Sequence, residues 1–181
     1  MLEESFFKVI KAELINGTVK KRHPFRYFSL ATLSQGVPRQ RTVVLRKMTT
    51  DLSLIVYTDT RSQKVMDIKN NPEVSALFYH PKKLMQITII GEAQFVTDKQ
   101  VVQQHWSSIS NTSRRDYITT LAPGTSIKQP DAVDYNAQDY NFTVLQIVPN
   151  RIEYLQLKRP NHLRIAYTKK NTSWKGQFMV P

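Results

Sequence analysis

The chain has 181 residues, 40% of them hydrophobic and 22% charged, a length and balance typical of one globular domain with a substantial core. It contains no cysteine, which excludes disulfides, thiolate metal sites and cysteine nucleophiles. Its net charge of +12 is compatible with several anionic partners, namely nucleic acid, a membrane surface or a small molecule.

The beginning of the chain lacks export signals. Residues 1–4, Met-Leu-Glu-Glu, are acidic and have neither the cationic nor the apolar region of a signal peptide. No run approaches the ~20 apolar residues that a membrane span requires. We therefore expect a cytoplasmic protein that forms one domain over residues 1–181.

The N-terminal stretch predicts an amphipathic helix. Its apolar residues recur at helical spacing, namely Phe6, Phe7, Ile10 and Leu14. Gly17 stands where a C-cap is expected, and a basic linker that ends at Pro24 follows. We expect residues 1–17 to dock as a helix whose aromatic rings join the core.

The next segments predict strands, a loop and a helix. Residues 27–33 and 39–46 should pair as a hairpin around the turn Ser-Gln-Gly-Val-Pro. A polar turn then leads to the apolar run 52–57. Hydroxyl-rich residues follow that run, and Ser62 is placed to cap a helix that stops before Pro72.

The second half of the chain predicts further strands separated by helices and a long loop. The strand segments are 74–79, 84–90 with a continuation at 93–96 past a bulge or bend at Gly91, 142–148, 152–157, 163–168 and 174–180. Asp98 can cap a helix that carries Val101, Val102 and Trp106, and a second helix is expected over 113–121. Residues 122–139 contain prolines, a glycine and three aspartates, which indicate a long loop.

These elements favour a mainly β protein. They amount to about eight strands and three or four helices, and most connections between strands are too short for parallel crossovers. The sheet should therefore be largely antiparallel, and a β-rich chain of this size closes most readily into a barrel.

One stretch has the character of a phosphate pocket. The start of the helix near Ser62 exposes backbone N–H groups and a partial positive charge, which suit an anion. The surrounding sequence supplies four cations, namely Arg41, Arg46, Arg61 and Lys64. Most strand–loop–helix units bind nothing, so the residues alone leave a solvated surface open as the alternative.

Other catalytic arrangements are absent from the sequence pattern. The four histidines lack metal-ligand spacing, so we expect no metal site. Neither a nucleophile elbow nor a Walker loop occurs, and no residue is assigned as catalytic. A chain that lacks its own reactive groups but offers a phosphate pocket indicates that a cofactor performs the chemistry.

Three spaced motifs carry a family resemblance. Arg-Thr-Val-Val-Leu-Arg at 41–46, Tyr-Thr-Asp-Thr-Arg-Ser-Gln-Lys at 57–64 and Asn-Asn-Pro at 70–72 resemble the FMN-binding signature of the pyridoxamine 5′-phosphate oxidase-like flavoproteins. The resemblance implies FMN as cofactor and an antiparallel FMN-binding split barrel with six main strands and peripheral helices. It also implies a homodimer with flavin at the interface.

The resemblance also implies a set of cofactor contacts. In chain order these are Arg41, Thr42, Val43, Val44, Leu45, Arg46, Tyr57, Thr58, Ser62, Gln63, Lys64, Gln86, Thr125, Ser126, Leu155 and Arg164. The first six would line the flavin, Ser62 to Lys64 would hold its phosphate, and Gln86 would contact the isoalloxazine ring. The last four would come from the second subunit.

The chain departs from the family pattern where the vitamin substrate binds. Leu155 replaces a Trp, and Pro-Asn-His at 160–162 stands where Arg-Leu-His is expected, although a His-x-Arg pair survives. His105, Arg114 and Arg115 are only loose substitutes for the residues that hold the substrate phosphate. These departures indicate a branch of the family distinct from the oxidase itself.

Four functions remain open at this point. The leading hypothesis is an FMN-dependent oxidoreductase that uses hydride chemistry at flavin N5 on a small substrate of unknown identity. The alternatives are pyridoxamine/pyridoxine 5′-phosphate oxidase, and a flavin carrier or sensor without turnover. Nucleic-acid binding is the weakest reading, because Lys and Arg are scattered and the only dense cluster lies at 20–23.

Overall fold

The protein is an antiparallel β-sheet curled into a split barrel, with helices at its periphery, and the computed structural model describes residues 2–181. The helices are α1 Leu2–Val19, α2 Gln63–Asn70, α3 Lys99–Ser107 and α4 Asn111–Arg114. The strands are β1 Tyr27–Ser34, β2 Val37–Val44, β3 Lys47–Met48, β4 Leu54–Asp59, β5 Glu73–His80, β6 Met85–Phe95, β7 Phe142–Gln156, β8 Leu163–Lys170 and β9 Ser173–Met179. Within residues 2–181, no helix is both long and apolar enough to cross a bilayer.

Strand β7 organises the sheet. It pairs with β6 along most of its length, and the other edge of its first half pairs with β4. The same edge of its second half pairs with β8, which carries β9 in turn. One long strand therefore belongs to two sheet sections, and this arrangement produces the split in the barrel.

A bulge in β7 allows this sharing. The register shifts between Ile90 and Gly91, because Gly91 pairs with Pro149 while Ile90 pairs with Arg151. Asn150 is the extra residue. A Cβ on Gly91 would lie 2.1 Å from the carbonyl oxygen of Val148, so the absence of a side chain at 91 permits the close approach. The sequence prediction of a bulge at Gly91 agrees with this register shift.

Helix α1 closes the barrel and extends further than expected. Ile10 and Leu14 are fully buried, and each contributes about 1.5–3 kcal/mol by leaving water. The rings of Phe6 and Phe7 pack on Tyr154 and Tyr167, as the pattern predicted.

The prediction that Gly17 caps α1 is wrong. The helix continues to Val19, and Gly17 is buried inside its last turns. A Cβ at position 17 would lie 2.7 Å from the carbonyl oxygen of Phe25. The glycine is therefore needed for close packing of the helix against the following turn and not for a left-handed cap.

Three further boundaries differ from the sequence prediction. The segments expected as separate strands at 142–148 and 152–157 form the single strand β7, because Pro149 and Asn150 fit into the bulge instead of ending the strand. The expected helix over 113–121 is reduced to α4 and one 3₁₀ turn, Arg115–Tyr117. The strand expected over 52–57 forms β4 two residues later, at Leu54–Asp59, where it pairs with β3 and β7.

The bulge yields a stability prediction. Gly91→Ala should lower the free energy of unfolding by at least about 2 kcal/mol, because the added methyl group forces the backbone of β7 to move. Urea unfolding monitored by fluorescence measures the change. Gln94→Ala, at an exposed position of β6, the strand that contains Gly91, is the matched control, and its free energy of unfolding should stay within about 0.5 kcal/mol of that of the parent. A Gly91→Ala midpoint equal to that control would contradict the close approach.

Candidate functional site

A lysine without a carboxylate partner lies at the start of α2. The ammonium of Lys64 donates to the hydroxyl oxygens of Thr58 (2.9 Å) and Ser62 (3.3 Å). Both hydroxyl residues are buried. Burial lowers the pKa of Lys64 from its ordinary value, repulsion from Arg41 lowers it further, and the charge of Asp59 opposes both without outweighing them. A cation held by neutral hydroxyls beside a second cation is an arrangement that an anion would stabilise.

Ser62 occupies the N-cap position of α2 but does not cap the helix. Its backbone is extended, as an N-cap requires, yet its hydroxyl makes no bond to the first backbone N–H groups. The hydroxyl instead contacts Thr58 Oγ1 at 3.1 Å. The prediction of a serine cap is therefore wrong in this respect. The hydroxyl is part of the pocket. The N–H groups of Ser62 and Val65 bond backbone carbonyl oxygens, so an anion at the helix start would bind through the N–H groups between them.

Arg41 is held beside this pocket by a buried acid. Its guanidinium donates to Thr32 Oγ1 at 2.6 Å and to Asp67 Oδ2 at 3.3 Å. Asp67 also accepts hydrogen bonds from Thr32 and Gln63. Burial alone would raise the pKa of Asp67, but the hydrogen bonds from Gln63 and Thr32 and the charge of Arg41 outweigh it and hold that pKa below its ordinary value. The carboxylate therefore stays charged and fixes Arg41.

Arg61 faces away from the pocket. The backbone N–H and the guanidinium of Arg61 both donate hydrogen bonds to the carboxylate of the buried Asp59. The same guanidinium donates to the carbonyl oxygens of Thr119 and Thr120. Arg61 was one of the four cations that the sequence analysis placed around the helix start. In the structure it holds the long loop that follows α4.

Arg46 belongs to an aromatic group beyond the pocket. Its guanidinium lies over the ring of Tyr57, 5.2 Å from the ring centroid, and its Nε is buried with no hydrogen-bond partner among residues 2–181. Tyr57 Oη lies 2.9 Å from His105 Nδ1. Burial, and then the charge of Lys47, lower the pKa of His105 from its ordinary value. The unpaired Nε is a donor that a ligand could satisfy.

The segment between Arg41 and Arg46 presents alternating faces. The side chains of Val43 and Leu45 point into the core, so these two residues can offer a ligand only backbone groups. Thr42 and Val44 are on the opposite, more exposed side. Sequence reasoning assigned all of them to flavin contact without distinguishing the two faces.

The later predicted contacts lie elsewhere in the same chain. Gln86, Leu155 and Arg164 form one cross-strand row over β6, β7 and β8, on the open face of the sheet. Arg164 is paired with Glu153 at 2.9 Å. Thr125 and Ser126 are exposed in the long loop. One chain therefore brings Arg41, Thr58, Ser62, Gln63 and Lys64 together and leaves these other positions apart from them.

A polar cluster that the sequence pattern did not indicate joins α1 to the end of β5. Glu13, His23 and His80 are close enough to share a metal ion. However, Nδ1 of His23 accepts from the backbone N–H of Phe25, and Nδ1 of His80 accepts from that of Lys83. In a neutral imidazole Nε2 then carries the proton and cannot ligate.

The carboxylate of this cluster is also engaged. The ammonium of Lys83 contacts Glu13, and His23 Nε2 lies 3.2 Å from the other carboxylate oxygen. The cluster therefore acts as a hydrogen-bonded tie between α1 and the barrel. Its members are far apart along the chain, so no sequence spacing could have revealed it.

The fold and the pocket together define a class of protein. A split barrel with a lysine that donates to two hydroxyls and a fixed arginine at one helix start is built to bind a phosphorylated cofactor. The buried unpaired Nε of Arg46, a few residues along the same segment, fits a cofactor that extends beyond its phosphate.

Comparisons with known proteins identify the family. The model of the pyridoxamine 5′-phosphate oxidase FMN-binding domain matches residues 4–97, just over half of the chain. The chain belongs to this family, and its cofactor is FMN. The resemblance inferred from the three motifs is confirmed.

Relatives and solved structures agree with this assignment. The pyridoxine/pyridoxamine 5′-phosphate oxidase of Acinetobacter baumannii strain SDF is 28% identical over 169 residues, covering 84% of this chain and 77% of that protein. The enzyme of the same name from Pelagibacter ubique is 28% identical over 170 residues, covering 84% and 80%.

Two solved structures share the fold. A pyridoxamine 5′-phosphate oxidase-related, FMN-binding protein of Nostoc punctiforme superposes with a TM-score of 0.79 at 23% identity and covers 97% of each chain. PhzG of Burkholderia lata, solved with tetrahydrophenazine-1-carboxylic acid, gives a TM-score of 0.73 at 15% identity and covers 99% of this chain and 91% of its own. The predicted antiparallel split barrel is confirmed.

The pocket predicts a specific loss of FMN affinity. Lys64→Ala should weaken FMN binding about tenfold to a hundredfold, because a charge-assisted contact to phosphate is worth roughly 1.5–3 kcal/mol. Riboflavin, which lacks the phosphate, should bind almost as before. Fluorescence titration of both ligands measures the difference, and Lys69→Ala, at an exposed position of the same helix, is the matched control. Equal losses for FMN and riboflavin would contradict the role of Lys64.

Proposed function

We propose that the protein is an FMN-dependent oxidoreductase that acts on a small substrate. The observation that carries the proposal is the half-buried ammonium of Lys64, which has neutral hydroxyl partners and a neighbouring arginine. Bound FMN supplies the transfer of a hydride equivalent at its N5 atom. The residues of the chain bind and orient the cofactor, and they donate and accept protons beside it.

Each group of residues has a distinct part in this proposal. Lys64, Ser62 and Thr58 bind the phosphate at the start of α2, and Asp67 keeps Arg41 oriented beside them. The unpaired Nε of Arg46 is the candidate donor to the part of the cofactor beyond its phosphate. A positive charge there stabilises negative charge that develops during reduction.

The pair formed by Tyr57 and His105 is the candidate for proton handling. Its hydrogen bond joins Tyr57 Oη and His105 Nδ1. Because the pKa of His105 lies below its ordinary value of 6.5, the imidazole is neutral at pH 7, and in the tautomer with an unprotonated Nδ1 it accepts a hydrogen bond from the Tyr57 hydroxyl. The pair can therefore hold a proton beside Arg46 and exchange it with a substrate.

We also propose that two copies of the chain form the complete site. The row of Gln86, Leu155 and Arg164 lies apart from the phosphate pocket of its own chain, and on the same open face Leu77 and Tyr79 are exposed. An uncovered apolar sheet face favours association with a second copy, which could also bring that row toward a neighbouring pocket.

Pyridoxine or pyridoxamine 5′-phosphate oxidase is the second candidate function. It is favoured by the names of the relatives that are 28% identical over most of the chain. The residues argue against it: Leu155 stands in place of a Trp, and residues 160–162 lack the expected Arg and Leu. A site that loses hydrogen-bonding partners for a polar substrate loses discrimination by orders of magnitude.

The dimer predicts a light-scattering result. The FMN-loaded protein at micromolar concentration should have about twice the 21.0 kDa mass of the chain. Leu77→Lys should shift the protein toward monomer and lower its flavin occupancy, because a charge then faces the apolar surface. Val9→Lys, at an equally exposed position on α1, is the matched control, since the two side chains are 37% and 38% exposed. A monomer with full flavin occupancy would contradict the proposal.

Turnover distinguishes an enzyme from a carrier and from the oxidase. We expect anaerobic bleaching of the flavin absorbance by a reduced nicotinamide, followed by reoxidation under air. Pyridoxine phosphate should be oxidised well below about 10⁴ M⁻¹s⁻¹, the lower end of ordinary enzyme efficiency. Formation of pyridoxal phosphate above that value would identify the oxidase. A flavin that no donor reduces would support the carrier or sensor.

A further inference from the structure

Cations that are scattered along the sequence meet at one end of the barrel. Three connecting segments carry them: the turn after α1, the turn between β5 and β6, and the turn between β7 and β8. We call this group the cationic rim, and its members are Lys20, Lys21, Arg22, Lys82, Lys83, Lys158 and Arg159. All seven side chains belong to exposed residues.

Direct contacts hold the three segments together. The rings of His23 and His80, which flank the first two segments, lie 5.6 Å apart. The backbone N–H of Leu157 donates to the carbonyl oxygen of Leu84 at 2.9 Å, which joins the second and third segments. The rim is therefore a consequence of the topology, and the sequence pattern alone showed only its first three members.

The charges of the rim are poorly compensated. The ion pairs of residues 2–181 include one carboxylate that contacts the rim, Glu13, which pairs with Lys83. The other ends of β5 and β6 carry the opposite sign, because Glu73 and Glu92 face each other across the two strands. The two strands are therefore electrically polarised, which distinguishes the rim from a surface of evenly mixed charges.

The rim lies at the end of the site away from the phosphate. The segment that begins at Arg41 runs toward Arg26, whose carbonyl oxygen accepts from Leu45 N at 2.9 Å. Arg26 in turn donates to the carbonyl oxygen of Thr18, two residues before the first rim lysine. In β6 and β7, Gln86 and Leu155 come within three residues of rim cations. The flavin-lining segment and the row of Gln86 and Leu155 are therefore each connected to a segment that carries rim cations.

We propose that the cationic rim draws a multiply charged anion to the flavin as the reaction partner of the protein, an inference that rests on the proposed oxidoreductase function. The partner is a small molecule with two or more phosphate or carboxylate groups. Its charge is attracted to the rim, while its reactive part reaches the cofactor beside Arg46. The attraction grows in proportion to the charge of the partner, so a neutral molecule gains nothing from the rim and a singly charged one gains least among anions.

The test uses two electron acceptors of opposite charge. Photochemically reduced, FMN-loaded protein is mixed in a stopped-flow instrument with ferricyanide, a trianion, or with hexaammineruthenium(III), a trication. Each acceptor ion takes one electron, so two are consumed for each reduced flavin. We expect ferricyanide to react faster by tenfold or more at low salt, and we expect this preference to fall as salt is added, since the Debye length shrinks to about 10 Å at 0.1 M.

A matched pair of triple variants assigns the effect to the rim. Lys20→Gln with Lys21→Gln and Arg22→Gln should reduce the ferricyanide rate about tenfold at low salt and raise the hexaammineruthenium rate. Lys169→Gln with Lys170→Gln and Lys175→Gln removes the same charge from the β8–β9 hairpin. That hairpin lies at the far end of β8, about seven steps of 3.3 Å from the rim. These control rates should stay near those of the parent.

The outcomes separate this inference from the function on which it rests. FMN titration of each variant comes first, and failure of the parent protein to bind FMN would overturn the proposed function and the rim together. Normal FMN binding with equal rates in the rim and control variants would overturn the rim alone. A faster reaction of the parent protein with hexaammineruthenium(III) than with ferricyanide at low salt would also overturn the inference about the rim. A loss of ferricyanide rate confined to the rim variant supports the inference.

Discussion

The continuous pairing of strand β7 is the constraint on which the structure depends. Both edges of this strand are occupied, one by β6 and the other by β4 and then β8. The core that α1 covers and the open face that carries Gln86, Leu155 and Arg164 are opposite sides of this arrangement. Because β4 leads directly into the loop before α2, its pairing with β7 also fixes the phosphate pocket relative to the barrel.

The site follows from how the acids are distributed among the cations. Asp59 is paired with Arg61, and Asp67 with Arg41, so both arginines are oriented by buried carboxylates. Lys64 has only hydroxyl partners, and Arg46 keeps an unpaired donor. The charge of Lys64 and the N–H donor of Arg46 are thus incompletely compensated by protein groups, and a bound anionic cofactor would compensate them.

Much of the fold could be predicted from the sequence, because strand periodicity, the hairpin turn and the residues around Gly91 are local signals. The phosphate pocket was also predictable, since its members lie within a short stretch. Contacts between segments that are distant along the chain were not predictable. The sequence does not show that the Ser62 hydroxyl contacts Thr58 instead of capping the helix, or that Arg61 donates to Thr119. It also does not show that Glu13 lies close to His80. All three contacts depend on tertiary packing.

The single extra residue in β7 also limits how the length of this chain can change. On one side of Asn150 the inward positions include Leu145 and Ile147, and on the other side they include Ile152 and Tyr154. Removing Asn150, which is exposed, would leave Pro149 and Arg151 adjacent opposite Gly91 and Ile90, so both sets of residues would stay inward in one even alternation. A single deletion elsewhere in the strand would instead turn one half inside out and bring polar residues such as Glu153 into the core. Asn150 is therefore the position of β7 that should best tolerate loss of one residue.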